Sequence, residues 1–106
     1  MDAFERYEEI ADDLVGRNPD VELTKMMGMP AIKAAGKLIG GFVRSADAMV
    51  FKLGDSESRE RALALDGADL FEPMSGRPMR EWVQVPATHA DEWPALAEQA
   101  LALRRG

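Results

Sequence analysis

The chain has 106 residues, 46% hydrophobic and 30% charged, with a formal net charge of -6, and these values suit one globular domain and exclude a disordered class. Without cysteine there are no disulfides or thiolates, and one histidine leaves few metal ligands, so we expect neither a metal nor a cofactor. No apolar run approaches the ~20 residues of a membrane-spanning helix, and the acidic N-terminus is unlike a secretory signal, so we expect a cytoplasmic protein.

The first predicted element is an amphipathic helix that begins at Asp2. Asp2 and Glu5 have the spacing of a capping box, in which each side chain bonds the backbone amide of the other residue. Five apolar residues at three- and four-residue spacing form one stripe, namely Phe4, Tyr7, Ile10, Ala11 and Leu14. Gly16 followed by Pro19 predicts the end of this helix.

Residues 25–53 form the segment around which we expect the fold to be organised. Apolar residues recur there at every second position, and turn-forming breaks separate predicted strands at about 21–27, 31–35, 38–44 and 48–53. Gly28 and Pro30 predict a bulge or sharp turn within the break at 26–30. The pair Gly40-Gly41 predicts close approach of a neighbouring backbone or a large side chain.

The second half of the chain predicts a helix, two strands and a final helix. The helix is capped by Asp55 or Ser56 and runs to about Leu65, before the stop at Asp66-Gly67. An edge strand at about 70–73 and a loop at 74–78 precede a strand at 79–85 that Pro86 ends. In that strand Glu81, Val83 and Val85 share one face and Arg80, Trp82 and Gln84 share the other.

The final helix has two possible starts, Thr88 and Asp91. Pro94 favours Asp91, because proline is tolerated in the first helical turn. The predicted buried stripe is Trp93, Leu96, Ala97, Ala100 and Leu103. The predicted order α-β-β-β-β-α-β-β-α is an α+β fold, a single domain over residues 1–106 in which helices pack on one face of an antiparallel meander.

Positive charge is concentrated in the predicted strands. Residues 23–54 carry five bases and one acid, a net charge of +4, whereas residues 1–22 have a net charge of -6. An acidic protein is a poor candidate for binding duplex DNA, but a local basic face next to an aromatic ring suits phosphate or single-stranded nucleic acid. The candidate binding residues are Lys25, Lys33, Lys52, Arg77, Arg80 and Trp82. The alternative is a polar solvent face whose edge lysines block aggregation.

The other residues that could act in catalysis or metal binding are better explained by structural roles. His89 lies in a polar loop without a recognisable nucleophile or orienting acid nearby, and we expect no catalytic residue. Asp66, Asp69 and Glu72 lack the dense alternation of a calcium loop. Five methionines can fill the core or form an adaptable partner surface, with core filling favoured: Met26, Met27, Met29, Met74 and Met79.

A series of short motifs runs over almost the whole chain. These motifs are Met26-Met27-Gly28-Met29 after an acidic helix, Gly36-Lys37, Val50-Phe51-Lys52-Leu53, a short helix ending near Gly67, Leu70-Phe71, Gly76-Arg77-Pro78-Met79, Glu81-Trp82-Val83 and Val85-Pro86. In their order and spacing they resemble the N-terminal domain of the TfoX (Sxy) family of bacterial competence regulators. Full-length TfoX proteins resemble the chain in their first half only, and Met29-Pro30 stands where many relatives continue with a Gly-aromatic pattern. YjbR-type single domains share this size and layout.

The resemblance implies an α+β domain without catalytic residues, linked in TfoX proper to regulation of DNA-uptake genes as a co-activator. We therefore expect a non-enzymatic regulatory or interaction domain that acts through protein partners. A nucleic-acid-binding module on the basic sheet and a small-ligand-binding domain with a pocket near Trp82 and Arg80 are the alternatives. A homodimer fits each of the three, because an open antiparallel sheet leaves edges or a face to bury.

Overall fold

A computed structural model describes residues 2–74 and 76–106 of the chain; Ser75 of the predicted loop and the side chain of Met74 lie outside this description. The helices are α1 (Ala3–Arg17), α2 (Ser56–Leu63) and α3 (Trp93–Arg105). The strands are β1 (Val21–Met26), β2 (Met29–Ala34), β3 (Lys37–Val43), β4 (Ala48–Lys52), β5 (Asp69–Met74) and β6 (Arg77–Pro86). They form one antiparallel sheet in the order β1-β2-β3-β4-β6-β5, so the predicted α+β fold with a meander is confirmed.

Helix α1 begins with the predicted capping box. The Glu5 amide donates to Asp2 Oδ1 at 2.8 Å, and the Asp2 amide donates to Glu5 Oε1 at 3.2 Å. The predicted stop at Gly16 is wrong, because the helix continues to Arg17 and Asn18 caps it in an extended conformation. The Asn18 side chain donates to the Leu14 carbonyl oxygen at 2.9 Å. This bond satisfies one of the carbonyl groups at the end of the helix, a role that the backbone has when a glycine ends the helix.

The first two strand connections are two-residue hairpin turns. Met27 and Gly28 have φ of 50° and 80°, and Ala35 and Gly36 have φ of 48° and 81°. Two successive positive φ values are typical of a type I′ turn, whose twist matches that of the flanking strands. The sharp turn predicted in the break at 26–30 is confirmed, although β2 begins earlier than expected and includes Pro30. The pairing of β2 with β3 begins at Ala31, one residue after Pro30. The N–H that proline lacks is therefore not needed for a hydrogen bond between these two strands.

The glycine pair in β3 marks the predicted close approach of backbones. A Cβ at Gly40 would lie 3.0 Å from the carbonyl oxygen of Val50 in β4. A Cβ at Gly41 would lie 2.9 Å from the carbonyl oxygen of Pro30 in β2. The strand therefore has no room for a side chain at either position.

The helices of the second half differ from the prediction at their ends. Asp55 caps α2, but the helix ends at Leu63 rather than near Leu65. A 3-10 segment, Ala87–Glu92, precedes α3, which begins at Trp93 and not at the predicted Asp91. Leu103 was predicted to be buried and is 36% exposed, whereas Leu101 is 2% exposed, because the buried face continues at four-residue spacing from Ala97.

Buried side chains form two clusters, which we call the main core and the second cluster. The main core joins residues of all three helices to alternate strand positions, including Met49 and Phe51 of β4 and Val83 and Val85 of β6. The second cluster contains strand residues only, namely Met26, Ala31, Val43, Val50, Phe71 and Trp82, with Met29, Leu38 and Met79 packed against them. The predicted packing of the helices on one face agrees with this division of the core but stays a prediction.

The second cluster takes one buried residue from each of the six strands, and the sheet curls around it. Val50, near its middle, is 0% exposed. Met27 of the β1–β2 turn and Met29, the first residue of β2, line the same cavity as Phe71 and Pro73 of the far edge strand β5. In a flat sheet β2 and β5, four strand spacings apart, would be separated by about 19 Å. The coiling of the sheet therefore brings its two ends toward each other on this face.

Candidate functional site

The strand register places the predicted basic residues on different faces. In β2, Lys33 lies on the same face of the sheet as Ala31, a member of the second cluster, and its cross-strand partner is Glu22. In β1, Lys25 pairs with Pro30, which has the orientation of Ile32 in the main core. Lys25 and Lys33 therefore lie on opposite faces of the sheet, since side chains alternate along a strand.

The remaining predicted residues are also dispersed. Lys52 and Trp82 are direct cross-strand partners between β4 and β6. Arg77 is exposed at the start of β6, and Arg80 is exposed where the ladder between β5 and β6 is interrupted. The structure thus places Lys33, Lys52 and Trp82 on the face of the second cluster, with Lys52 next to Trp82, but does not assemble the six residues into one patch.

Trp82 is 6% exposed and packs in the second cluster. A platform for single-stranded nucleic acid needs an exposed aromatic ring on which a base can stack. This packing therefore disfavours the predicted nucleic-acid role of Trp82.

A cleft of about 280 Å³ lies where the C-terminal turn of α3 meets the ends of β3 and β4. We call it the basic cleft. Its lining contains three cations and one carboxylate together with apolar residues, namely Lys37, Leu38, Ile39, Lys52, Gly54, Glu81, Ala100, Leu103 and Arg104.

The fold brings the four charged residues of the basic cleft to the same end of the sheet. Lys37 is the first residue of β3 and Lys52 is the last of β4, which is the same end of an antiparallel pair. Arg104 donates from Nε to the Ala34 carbonyl oxygen at 3.0 Å and from Nη2 to that of Ala35 at 2.7 Å. Glu81 lies against Gly54, where an added Cβ would be 3.3 Å from Glu81 Oε2.

The charges of the basic cleft are not neutralised from within the described residues. None of its four charged side chains forms an ion pair with another residue that the structure describes. Its lining has a net charge of +2, whereas four other cavities of the described chain are lined by neutral or net acidic sets. A net positive cleft in a protein of charge -6 is suited to an anionic group.

A second cavity, of about 290 Å³, lies at the opposite end of β3, and we call it the methionine cavity. Six of its nine lining residues are apolar, and the full set is Met27, Met29, Val43, Ser45, Ala46, Phe71, Glu72, Pro73 and Gln84. Met27, at the tip of the β1–β2 hairpin, is 60% exposed. The structure therefore divides the predicted methionine set, with Met26, Met29 and Met79 in or against the second cluster and Met27 at the surface.

The single histidine has a structural contact. His89 Nε2 lies 2.7 Å from the Asp66 carbonyl oxygen, so the ring ties the 3-10 segment to the loop after α2. No group of three histidine or acidic side chains within residues 2–74 and 76–106 is arranged to hold a metal ion. Among the described helices none is long and apolar enough to cross a membrane.

Sequence reasoning missed Arg104, Lys37 and Glu81 as residues of one cleft. Lys37 and Lys52 could have been grouped, because the start of one meander strand and the end of the next lie side by side. Arg104 carried no such signal, since its position depends on how α3 docks on the sheet. The sequence predicts for it only a favourable interaction with the helix dipole.

Comparison of the chain with the known protein families, with curated proteins and with solved structures finds no match in any of the three.

Proposed function

We propose that this chain is a non-enzymatic interaction domain that acts through a protein partner, in the regulatory manner that its resemblance to the TfoX N-terminal domain implies. The observation that carries the proposal is the exposed Met27 beside the methionine cavity. A partner that covers Met27 would remove its apolar surface from water, which is favourable in proportion to the area buried.

The chemistry of the methionine cavity suits an apolar anchor from another protein. Met27, Met29 and Phe71 provide flexible and polarisable walls, which adapt to a side chain of varied shape. A volume of about 290 Å³ is small, close to the lower limit of ligand pockets at about 300 Å³. The cavity therefore fits a few side chains of a partner segment rather than a large cofactor.

Polar groups of the methionine cavity indicate the character of that segment. Glu72 contributes a negative charge to the lining, and the whole chain is acidic. The amide of Gln84 and the hydroxyl of Ser45 supply hydrogen-bonding groups at the same site. We expect a partner segment that carries a large apolar residue next to a lysine or arginine.

The test compares two exposed apolar residues of the β1–β2 hairpin. Tagged wild-type protein and the variants Met27→Ser and Leu23→Ser are used to recover partners, which are identified by mass spectrometry. Leu23, 52% exposed, is the matched control, because it lies in β1 and does not line the methionine cavity. A partner retained by Leu23→Ser and lost with Met27→Ser supports the proposal, and equal recovery by all three proteins contradicts it.

Light scattering of the purified chain is the companion measurement. The predicted homodimer and the predicted cytoplasmic location stay predictions. A dimer that Met27→Ser dissociates would identify a second copy of the chain as the occupant of the methionine cavity. If the purified chain is a monomer, the occupant of the methionine cavity is expected to be another protein.

A further inference from the structure

We propose that the basic cleft binds a small phosphate monoester. This proposal concerns a site other than the methionine cavity, and it does not depend on the protein-interaction function proposed above. It rests on the arrangement of Lys37, Lys52 and Arg104 around one opening beside the carboxylate of Glu81.

The cleft cations keep their charge unpaired among the described residues. Of the ten other cations of the chain, five form an ion pair with a described carboxylate, namely Arg6, Arg17, Lys33, Arg61 and Arg105. Lys37, Lys52 and Arg104 form none with the described residues, although the protein has more acids than bases. Three cations and one carboxylate line the cleft, so it carries a net positive charge that a bound anion would reduce.

Arg104 is oriented before any ligand arrives. Two backbone carbonyl oxygens of the β2–β3 turn accept from its Nε and Nη2, while Nη1 donates to no described residue. The guanidinium is thus fixed by neutral acceptors that leave its charge in place. A positioned guanidinium with free donors is well suited to the oxygens of a phosphate group.

The local sequence explains why Lys37 and Arg104 line the same cleft. The turn at Ala35-Gly36 presents both its own carbonyl to Arg104 and the first residue of β3, Lys37, to the cleft. A further cation, Arg59, donates from Nη1 to the Leu53 carbonyl oxygen at 3.0 Å, next to Gly54 of the lining. This bond helps to fix the chain next to the lining of the cleft.

The remaining lining indicates what accompanies the phosphate. A net charge of +2 matches a dianionic phosphate monoester, and the Glu81 carboxylate can accept a hydrogen bond from a ligand hydroxyl. Leu38 and Leu103 offer apolar contact to a short carbon body. The volume of about 280 Å³ holds a molecule of the size of a sugar phosphate.

The same phosphate chemistry occurs in nucleic acid, but the chain offers a polynucleotide little else. Arg77, Arg80 and Lys25 are not part of the cleft, and the overall charge of -6 repels a long polyanion. A small ligand is less affected, because charges beyond about 8 Å are largely screened at physiological salt. The structure therefore favours a free monoester.

The experiment is a titration followed by ¹H–¹⁵N NMR correlation spectra, with ribose 5-phosphate and inorganic phosphate as probes at constant ionic strength. Ribose is the neutral control, and a single-stranded oligonucleotide is the polymeric control. We expect saturable shifts at the amides of Lys37, Leu38, Gly54 and Leu103 with ribose 5-phosphate, weaker shifts with inorganic phosphate and none with ribose.

Two double variants of equal charge change identify the site. Lys37→Gln with Lys52→Gln should weaken ribose 5-phosphate binding at least tenfold. Arg77→Gln with Arg80→Gln, which alters exposed cations outside the cleft, should change binding by less than twofold. Thermal unfolding of both variants verifies that each is folded.

Arg104→Lys keeps the charge but loses the fork that bonds two carbonyls, and it should weaken binding several-fold. Three results would overturn the proposal: no saturable shift at the cleft, an equal loss in both double variants, or cleft shifts with the oligonucleotide alone.

Discussion

Gly41 lies at the closest approach of β3 to β2. A Cβ there would meet the Pro30 carbonyl oxygen at 2.9 Å and the Cα and Cβ of Ala31 at 3.5 and 3.6 Å. Backbone atoms of a neighbouring strand cannot move aside as the end of a flexible side chain can. The residue is therefore fixed by sterics, although its φ is not in the positive range.

We expect Gly41→Ala to lower the free energy of unfolding by about 2 kcal/mol, the usual cost of forcing extra atoms into a packed interior. Gly16→Ala is the matched control, because nothing lies within 4 Å of the added Cβ and the residue is inside α1. That substitution should raise the free energy of unfolding by about 0.5–1 kcal/mol. Urea denaturation measures both, and two changes of the same sign would contradict the steric argument.

At the scale of elements, the cap of α2 connects two helices. The Asp55 carboxylate accepts from the amide of Ser58 at 2.9 Å and also from its hydroxyl. Gln99 of α3 donates to the same hydroxyl oxygen at 2.6 Å. Ser58 is buried, so this chain of bonds satisfies a polar group between α2 and α3.

The cap predicts a pH dependence of stability. Hydrogen bonds from the Ser58 hydroxyl and amide hold the pKa of Asp55 below its usual value of 3.8. A carboxyl group with a lowered pKa in the folded state stabilises the protein fully above its unfolded pKa, and this contribution is lost as the pH falls through the folded pKa. Asp55→Ala should therefore lower the urea midpoint at pH 7 and pH 5, with a smaller difference from wild type at pH 3. A difference that is the same at all three pH values would contradict this assignment.

The elements whose signals are local could be predicted from the sequence. The capping box of α1, the four strands of the meander and the glycine pair depend on residues within a few positions of one another. The start of α3 could not, because the 3-10 segment before Trp93 decides it. Of its buried residues, Trp93, Ala97 and Ala100 were predicted and Leu101 was missed. Trp93 is buried and donates from Nε1 to the Val85 carbonyl oxygen at 3.1 Å, a contact between α3 and β6 that periodicity does not reveal.

The candidate site shows the same limit. Basic residues were expected among the strands, but the face on which each lies depends on register, and a slip of one residue reverses it. The break at 26–30 left the position of the first turn open, so the opposite faces of Lys25 and Lys33 could not be predicted. Lys52 was predicted as a binding candidate and lines the basic cleft, whereas the cleft itself requires Arg104 from the far end of the chain.

At the scale of the whole molecule, five strands contribute to both buried clusters. Each of β1, β2, β3, β4 and β6 has residues in the main core and in the second cluster, as with Phe51 and Val50 of β4. A strand that separates from the sheet therefore exposes side chains of both clusters at once. This sharing predicts one cooperative unfolding unit rather than a stable main core with a loose second cluster.

The two tryptophans make this cooperativity measurable, because Trp93 lies in the main core and Trp82 in the second cluster. In Trp82→Phe the fluorescence reports the main core, and in Trp93→Phe it reports the second cluster. Within each variant we expect the fluorescence transition in urea to coincide with that of far-ultraviolet circular dichroism, even if the two variants differ in stability. If Trp82 changes its emission at lower urea than the circular dichroism of the same variant, the second cluster opens on its own. The sheet would then unfold in at least two steps, because its curl around Val50 would be lost before the helices leave the main core.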